Sequence, residues 1–388
     1  MHITIIFSIS FFMSYVQAQI TCPGKNTITI NRPIDEGNKT FPYTYEYNCK
    51  NPSLPTVIHI PGGPGLTSIG SNPMAGFNVN VISTDPRGSG ANAKYWTVGG
   101  TEKDLSTESV ANDIIAIIEN QKLKNYSLHG SSFGTAVATV AASKLEKSKS
   151  TYLPKSIMLE GVVGRAIQEG EQSSITKKVF DEIKTEAAFC ITCKLDSLQG
   201  QLSPTQIGNL MEAIQSLGKD TATHLLKNSS SEQLAQMGIK NSTPLDSDEL
   251  RVYHAIACRE FFLNGITDIT YSQGQLTGPT GGSCNGQKRD HPFDSKVWQV
   301  KTKTYYVVGT ADNFTPLAQA RYHFENQTNE NKEVVCVPRG GHTPLKYNMQ
   351  DCSTQVFSKM ITGLDVVASD LSDCGAITVQ RNSFTCGQ

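Results

Sequence analysis

Short apolar runs rich in β-branched residues alternate along this chain with segments of helical periodicity. The runs, each bounded by turn residues, are Thr56–Ile60, Val79–Thr84, Tyr126–His129, Ile157–Glu160, Thr304–Val308 and Glu333–Val337. Between them, Glu108–Gln121 has an apolar face at helical spacing, and Phe133–Leu145 is rich in Ala and Val. Buried strands that alternate with helices predict a mostly parallel sheet covered on both faces, and therefore an α/β fold.

The alternation stops at residues 165–296, where the sequence becomes polar and rich in Ser and Gln. Amphipathic segments at Lys177–Ala188 and Glu249–Phe262 predict helices there, and the glycines crowded into Tyr271–Arg289 predict a long loop. A chain of 388 residues can accommodate one large domain with such a helical cap inserted. The expected organisation is a first core part at 19–164, the cap at 165–296 and a second core part at 297–388.

The beginning of the chain predicts export. Residues 1–18 contain no Lys, Arg, Asp or Glu, and the apolar stretch Ile3–Val16 leads to Ala18, a small residue where a signal peptidase would cut. We therefore expect a signal peptide at 1–18 and a secreted or lumenal protein. A buried N-terminal strand or helix stays open as an alternative, because the basic segment that usually begins a signal peptide is missing. The stretch is shorter than the ~20 residues that span a bilayer, so we expect no membrane anchor.

All ten cysteines follow Ala18, and an even number in an exported chain predicts disulfides. Proximity in sequence suggests Cys22–Cys49, Cys336–Cys352, Cys374–Cys386, and pairing of Cys190, Cys193, Cys258 and Cys284 among themselves. Alternatively, Cys190 and Cys193 could form a redox or zinc half-site, although no second half-site follows. Sequons that would permit glycosylation lie at Asn38, Asn125, Asn228, Asn241, Asn313 and Asn326. We expect Asn125 and Asn313 to be unused, because they fall in the core or beside the candidate site.

Charge is balanced over the whole chain. The 34 Lys and Arg against 35 Asp and Glu give a formal net charge of −1. Because no basic surplus is available to neutralise phosphates, nucleic acid is not an expected partner. Function must therefore depend on a local site.

A candidate nucleophile lies in Gly130-Ser131-Ser132-Phe133-Gly134, which follows a predicted strand and begins a predicted helix. This context is typical of a nucleophile elbow, with Ser132 on a tight turn between strand and helix. The helix N-terminus also directs backbone N–H groups to the place where an oxyanion would form. A plain Ser/Gly turn is the alternative.

Two later loops supply an acid and a base in the order that this fold uses along the chain. Asp312 follows the strand at Thr304–Val308, and His342 follows the strand at Glu333–Val337. His323 also comes after Asp312, but it lies within a helical pattern. Alone, Asp312 could be a helix N-cap and His342 a solvated loop histidine; together with Ser132 they predict a catalytic triad.

The segment Pro61-Gly62-Gly63-Pro64-Gly65 comes directly after the first of these predicted strands. Acyl transfer needs two N–H donors for the developing oxyanion, one usually from this early loop and one from the residue after the nucleophile. We assign these donors to Gly63 and Phe133. The alternative is an ordinary Pro/Gly turn.

These motifs, with Asp85-Pro86-Arg87-Gly88-Ser89-Gly90, resemble the proline iminopeptidase and tripeptidyl aminopeptidase family of α/β hydrolases. The tripeptidyl branch looks closer, because proline iminopeptidases usually have His where this chain has Pro61 and Trp where it has Phe133. The resemblance implies an α/β-hydrolase fold with a helical cap and a serine exopeptidase that needs no metal or organic cofactor. Arg87 is expected to brace loops around the site.

The resemblance further implies a peptide substrate with a free N-terminus, whose ammonium pairs with a carboxylate of the enzyme. Glu260, beside two aromatics, is the first candidate and Glu160 the second, although either could be a surface or salt-bridged glutamate. A secreted carboxylesterase or lipase would use the same triad with an apolar acyl pocket and no such carboxylate. A non-catalytic binding protein would need a broken triad.

Overall fold

The structure is a computed structural model, and it describes residues 22, 24–34, 39–168, 170–241, 247–262, 269–278, 284, 291–349 and 352–387. The expected signal peptide at 1–18 and the sequon at Asn38 lie outside the described residues. For Asn241 the side chain also lies outside them.

A nine-stranded sheet forms the centre of the fold. Its strands are β1 (Gly24–Ile34), β2 (Lys39–Cys49), β3 (Thr56–Ile60), β4 (Asn80–Thr84), β5 (Tyr126–Ser131), β6 (Ile157–Glu160), β9 (Thr304–Gly309), β10 (Lys332–Val337) and β11 (Thr378–Arg381). Their order is β1-β2-β4-β3-β5-β6-β9-β10-β11, and the run from β4 to β10 is parallel. The outer strands β1, β2 and β11 pair antiparallel.

Helices cover both faces of this sheet. The α-helices of the described residues are α1 (Lys94–Thr97), α2 (Thr107–Gln121), α3 (Phe133–Lys147), α4 (Glu171–Glu186), α5 (Ile191–Asp196), α6 (Pro204–Gln215), α7 (Lys219–Asn228), α8 (Ser231–Asn241), α9 (Ser247–Ile256), α10 (Leu317–Asn326), α11 (Pro344–Tyr347) and α12 (Ser353–Thr362). One apolar core joins the sheet to α2 and α3, and a second joins its other side to α12. The mostly parallel sheet, the helices on both faces and the strand–serine–helix turn after β5 are the α/β-hydrolase fold, which confirms the predicted class.

Between β6 and β9 the chain leaves the sheet and forms α4 to α9. These helices share an apolar core of their own, with Phe180 on α4, Leu210 on α6 and Leu226 on α7 all buried. A two-stranded hairpin, β7 (Thr270–Ser272) and β8 (Gln275–Thr277), packs on the same core through Tyr271 and Leu276.

That hairpin corrects the long loop expected at Tyr271–Arg289. Gln273 and Gly274 both adopt positive φ, at 51° and 74°, as a tight two-residue hairpin turn requires. One of the glycines therefore closes a hairpin instead of interrupting regular structure. Residues 279–283 and 285–290 of the expected loop lie outside the described residues.

Five disulfides are present: Cys22–Cys49, Cys190–Cys193, Cys258–Cys284, Cys336–Cys386 and Cys352–Cys374. The expected Cys336–Cys352 and Cys374–Cys386 pairs are wrong. The chain after β11 returns alongside β10, so Cys386 reaches Cys336, while Cys352 at the start of α12 pairs with Cys374. Cys190 and Cys193 bond to each other at the start of α5 and form no zinc half-site.

Two sequons were expected to be unused. Asn313 is fully buried, and its side-chain amide donates to the Thr176 hydroxyl and to the backbone carbonyl of Glu212. Asn125 is exposed directly before β5, so the reason given for excluding it is wrong.

A buried ionic cluster ties the edge of the sheet to α2. Asp113 on α2 is completely buried, and its carboxylate accepts hydrogen bonds from Arg87 Nε and Nη2 at 2.8 and 2.6 Å. Arg32 of β1 donates to the same carboxylate at 2.8 Å. The loop after β4 is therefore fixed by its arginine, which agrees with the bracing role expected for Arg87.

Replacing Asp113 by Ala would leave the Arg87 guanidinium buried without its counterion. We expect Asp113→Ala to lower the free energy of unfolding by about 3–5 kcal/mol, measured by denaturant unfolding with the disulfides intact. The control is Glu108→Ala, which removes the 2.5 Å pair with Lys144 at the surface and should cost less than about 1 kcal/mol. Equal losses in the two variants would contradict this account.

Candidate active site

Ser132 occupies a strained turn between β5 and α3. Its backbone has φ 55° and ψ −123°, a combination that residues with a side chain rarely adopt. Three hydrogen bonds hold this turn. Ser132 N–H donates to the Glu160 carbonyl at 2.8 Å, and the Ser132 carbonyl accepts from the N–H and the Oγ1 of Thr135 at 2.9 and 2.7 Å. The turn presents the serine side chain away from the sheet, as a nucleophile elbow requires.

Glycines around this turn are needed for close packing. A Cβ on Gly134 would collide with the carbonyl oxygen of Ile60 at the end of β3. A Cβ on Gly62 would lie 2.8 Å from Ser132 Cβ. The first turn of α3 and the loop after β3 can therefore approach the serine only because these side chains are missing.

Asp312 and His342 meet at the carboxyl ends of β9 and β10. His342 Nδ1 lies 3.0 Å from both carboxylate oxygens of Asp312. The carboxylate is buried and accepts three further bonds, from the N–H groups of Phe314 and Thr315 at 2.9 Å and from Thr315 Oγ1 at 2.7 Å. Because a carboxylate only accepts, this contact assigns the proton to Nδ1 and leaves Nε2 with its lone pair.

The contact with Asp312 also determines which protonation state of His342 is favoured. Burial lowers the pKa of His342, but the charge of Asp312, its hydrogen bond and the charge of Glu160 more than offset this effect. The pKa of His342 is therefore raised above its ordinary value. The site favours the imidazolium that would form when this ring accepts a proton.

Ser132 and His342 line one cavity of 350 Å³, together with Gly63 and Phe133. No direct hydrogen bond joins the serine hydroxyl to the imidazole. Phe133 is the first residue of α3, so its N–H has no partner within the helix. The remaining wall is mostly apolar and consists of Gly62, Pro64, Leu66, Val163, Ile167, Tyr253, Phe261, Phe262 and Phe314, with Ser131, Gln172, Glu212, Thr315 and Thr343 as polar members.

Neither glutamate predicted to bind substrate lies on this cavity wall. The Glu260 carboxylate accepts bonds from the N–H and the hydroxyl of Thr107, and so caps the N-terminus of α2. The Glu160 carboxylate accepts the Leu345 N–H at 2.7 Å. Both glutamates are buried and neither borders this cavity, so substrate binding by either one stays a prediction.

The carboxylate that does line the cavity is Glu212 on α6. Burial and then the charge of Glu212 raise the pKa of Tyr253, which lines the same cavity. Sequence reasoning missed Glu212 because its neighbours Ile207, Leu210, Met211 and Ile214 form the buried face of α6. A glutamate beside that face resembles any solvated charge of an amphipathic helix.

Two kinds of feature are missing from the part of the chain that the structure describes. It contains no helix with the length and apolar character needed to cross a membrane. It also contains no cluster of three or more His, Cys, Asp or Glu side chains arranged to bind a metal ion.

No family profile and no curated sequence matches this chain. Among solved structures, it is similar to a serine hydrolase from Cycloclasticus zankles, at 13% identity and a TM-score of 0.48, over 86% of this chain and 99% of that one. It is also similar to a putative non-heme bromoperoxidase from Mycobacterium tuberculosis, at 14% identity and a TM-score of 0.45, over 83% and 96%. An esterase from Exiguobacterium antarcticum matches at 14% identity and a TM-score of 0.42, over 86% and 99%. Similarity at this level carries no inference about activity.

Replacing Asp312 by Asn would remove the charge that opposes the effect of burial on His342. We expect the pKa of His342 in Asp312→Asn to fall below its value in the unchanged protein. The measurement is an NMR titration of labelled imidazole, with the His342 signal assigned from a His342→Gln variant. An unchanged pKa would show that the carboxylate does not control the imidazole.

Proposed function

We propose that this chain is a serine hydrolase that cuts peptide bonds near the free N-terminus of its substrate, through a Ser132–His342–Asp312 triad. The observation that carries the proposal is one cavity, bounded by a serine on an elbow turn and by a histidine bonded to a buried aspartate. A carboxylate, Glu212, lies on the otherwise mostly apolar wall of the same cavity.

In the proposed reaction Ser132 Oγ attacks the carbonyl carbon of the scissile bond while His342 Nε2 accepts the hydroxyl proton. Asp312 keeps the other ring proton on Nδ1 and stabilises the imidazolium. The C–N bond then breaks, His342 donates its proton to the leaving amine, and an acyl-enzyme remains on Ser132. Water, deprotonated by His342, then attacks the acyl carbon. The C–O bond to Ser132 breaks, His342 returns the proton to Ser132 Oγ, and the product leaves as a carboxylic acid that ionises in water. Every step uses side chains of this chain, without a cofactor.

The N–H groups of Gly63 and Phe133 are the proposed donors to the oxyanion of the tetrahedral intermediate. Both residues border the cavity next to Ser132. The Phe133 N–H belongs to the positive end of the α3 dipole, where negative charge is favoured. Donors fixed in a cavity of this kind stabilise charge that appears only in the transition state.

Exopeptidase action is supported by the position of Glu212. A carboxylate on a partly buried, mostly apolar wall attracts a cation more strongly than one in water does. The cation at the end of a peptide is its terminal ammonium. Its pairing with Glu212 would set the distance from the N-terminus to the bond that Ser132 attacks, and so make a peptide with a free N-terminus the partner.

A carboxylesterase or lipase is the second candidate, and the apolar wall favours it. Phe133, Phe261, Phe262 and Phe314 could contact an acyl chain as well as a peptide side chain. Such an enzyme would use the same triad but would gain nothing from Glu212. Dependence on a free amine therefore separates the two functions.

The five disulfides agree with a protein that folds in an oxidising compartment, outside the cell or in a lumen. Export to such a compartment is part of the proposal. The peptides available there would be the natural substrates.

We expect the purified protein to release a chromophore from unblocked mono-, di- or tripeptides and not from their N-acetylated counterparts. Glu212→Gln should lower kcat/KM on the unblocked substrates by roughly 10- to 150-fold, the equivalent of about 1.5–3 kcal/mol for one hydrogen-bonded charge. The matched control is Glu232→Gln, an exposed glutamate on cap helix α8, which should leave kcat/KM unchanged.

Ser132→Ala provides the blank for these assays. Equal cleavage of acetylated and free peptides would contradict the aminopeptidase assignment. Rapid hydrolysis of a short-chain ester with no peptide turnover would establish the esterase instead.

A further inference from the structure

Glu160 connects the two segments that carry the proposed nucleophile and base. It is the last residue of β6, it pairs with Ser131 of β5, and it is 3% exposed. Its backbone carbonyl accepts the Ser132 N–H at 2.8 Å, and its carboxylate accepts the Leu345 N–H at 2.7 Å. Because Leu345 lies three residues after His342, one residue fixes both the elbow and the histidine loop.

The imidazole of His342 lies directly beside this connection. Gly161 follows Glu160 with φ 62°, and a Cβ at Gly161 would lie 2.5 Å from His342 Cε1. The ring therefore rests on the backbone immediately after Glu160. The negative charge of Glu160 is near enough to contribute to the raised pKa of His342, after the larger effects of burial and of Asp312.

Behind Glu160 lies a pair of buried histidines. His129 Nε2 on β5 is 3.4 Å from the second carboxylate oxygen, and His129 Nδ1 is 3.0 Å from His59 Nδ1 on β3. Burial, followed by the proximity of His129, lowers the pKa of His59 well below its ordinary value, so His59 is neutral around pH 7. One Nδ1 of the pair must donate to the other. If His59 donates, the His129 proton is on Nε2 and faces Glu160.

We propose that Glu160 is a positioning residue for the reaction. It fixes the position of the His342 ring relative to Ser132, and it places a second negative charge, besides that of Asp312, near the imidazolium. This inference rests on the proposed function, because it assigns Glu160 a role in the same proton transfer. The titratable groups that face Glu160 are His129 of β5, which in turn contacts His59, and the His342–Asp312 pair on the loops after β10 and β9. On the α12 side, the ring of His129 makes an edge contact with the ring of Phe357.

A purely structural role for Glu160, as a cap for α11, predicts a different result. A cap contributes to stability through its hydrogen bond to Leu345, and the amide oxygen of a neutral glutamine can also accept that bond, although more weakly than a carboxylate. A charge that acts on His342 changes the pH dependence of the reaction even when the fold is intact. Glu160→Gln separates the two roles, because it keeps an oxygen for Leu345 and removes the charge.

The matched control is Glu333→Gln. Glu333 is also a buried glutamate on a sheet strand, and its carboxylate accepts a backbone N–H, from Val366 at 3.0 Å. It lies on β10 among Lys303 and Arg381, away from the cavity. The experiment measures kcat and kcat/KM of both variants against pH, and the His342 pKa by NMR of labelled imidazole.

For Glu160→Gln we expect kcat to fall about tenfold, the factor equivalent to one pKa unit, with KM nearly unchanged. The acidic limb of kcat/KM should move to lower pH, and the NMR pKa of His342 should fall with it, because the charge that favours imidazolium is gone. Glu333→Gln should show neither change.

A Glu160→Gln variant with unaltered kcat, acidic limb and His342 pKa would overturn the inference. If the unchanged protein cleaves no substrate, the proposed function fails, and the NMR titration still decides whether Glu160 acts on His342.

Discussion

The strained turn at Ser132 is the constraint on which the rest of the site depends. Its backbone angles persist only because β5, α3 and the end of β6 hold it on several sides. The approach of β3 to α3 is so close that a side chain at Gly134 would collide with the Ile60 carbonyl. That approach brings the glycine-rich loop after β3 next to the serine. The position of the proposed oxyanion donors therefore follows from the packing of the elbow.

The helical cap, α4 to α9, also contacts this site. The N–H of His342 donates to the carbonyl of Ser216 at the end of α6, at 2.7 Å. Lys219 N–H, at the start of α7, donates to the Arg339 carbonyl at 2.8 Å, and the Arg339 side chain bonds to Asp220 and Glu186. The histidine loop thus lies between the sheet and the cap, and the helix that carries Glu212 also contacts the backbone of His342. The proposed substrate carboxylate and the proposed base therefore depend on one structural element.

The sequence predicted the parallel strands, and it placed Ser132, Asp312 and His342 after strand ends, because these signals are local. β3 and β6 are short, mostly apolar runs with the predicted bounds, and the elbow has its own five-residue pattern. The outer strands β1, β2 and β11 were not predicted, because they are incompletely buried and polar residues interrupt their apolar runs. The roles of Glu160, Glu212 and Glu260 could not be distinguished, since each depends on which backbone or cavity the folded chain brings to it. The pairing of Cys336 on β10 and of Cys352 before α12 was predicted wrongly for the same reason.

The most direct test of the central claim, that Ser132 is a nucleophile activated by His342, is covalent labelling with a fluorophosphonate. Intact-mass spectrometry would follow the reaction, and peptide mapping would locate the adduct. The account predicts one adduct per chain, on Ser132, formed rapidly in the unchanged protein and very slowly in a His342→Gln variant. A protein that stays unlabelled, or that carries the adduct on another residue, would contradict it.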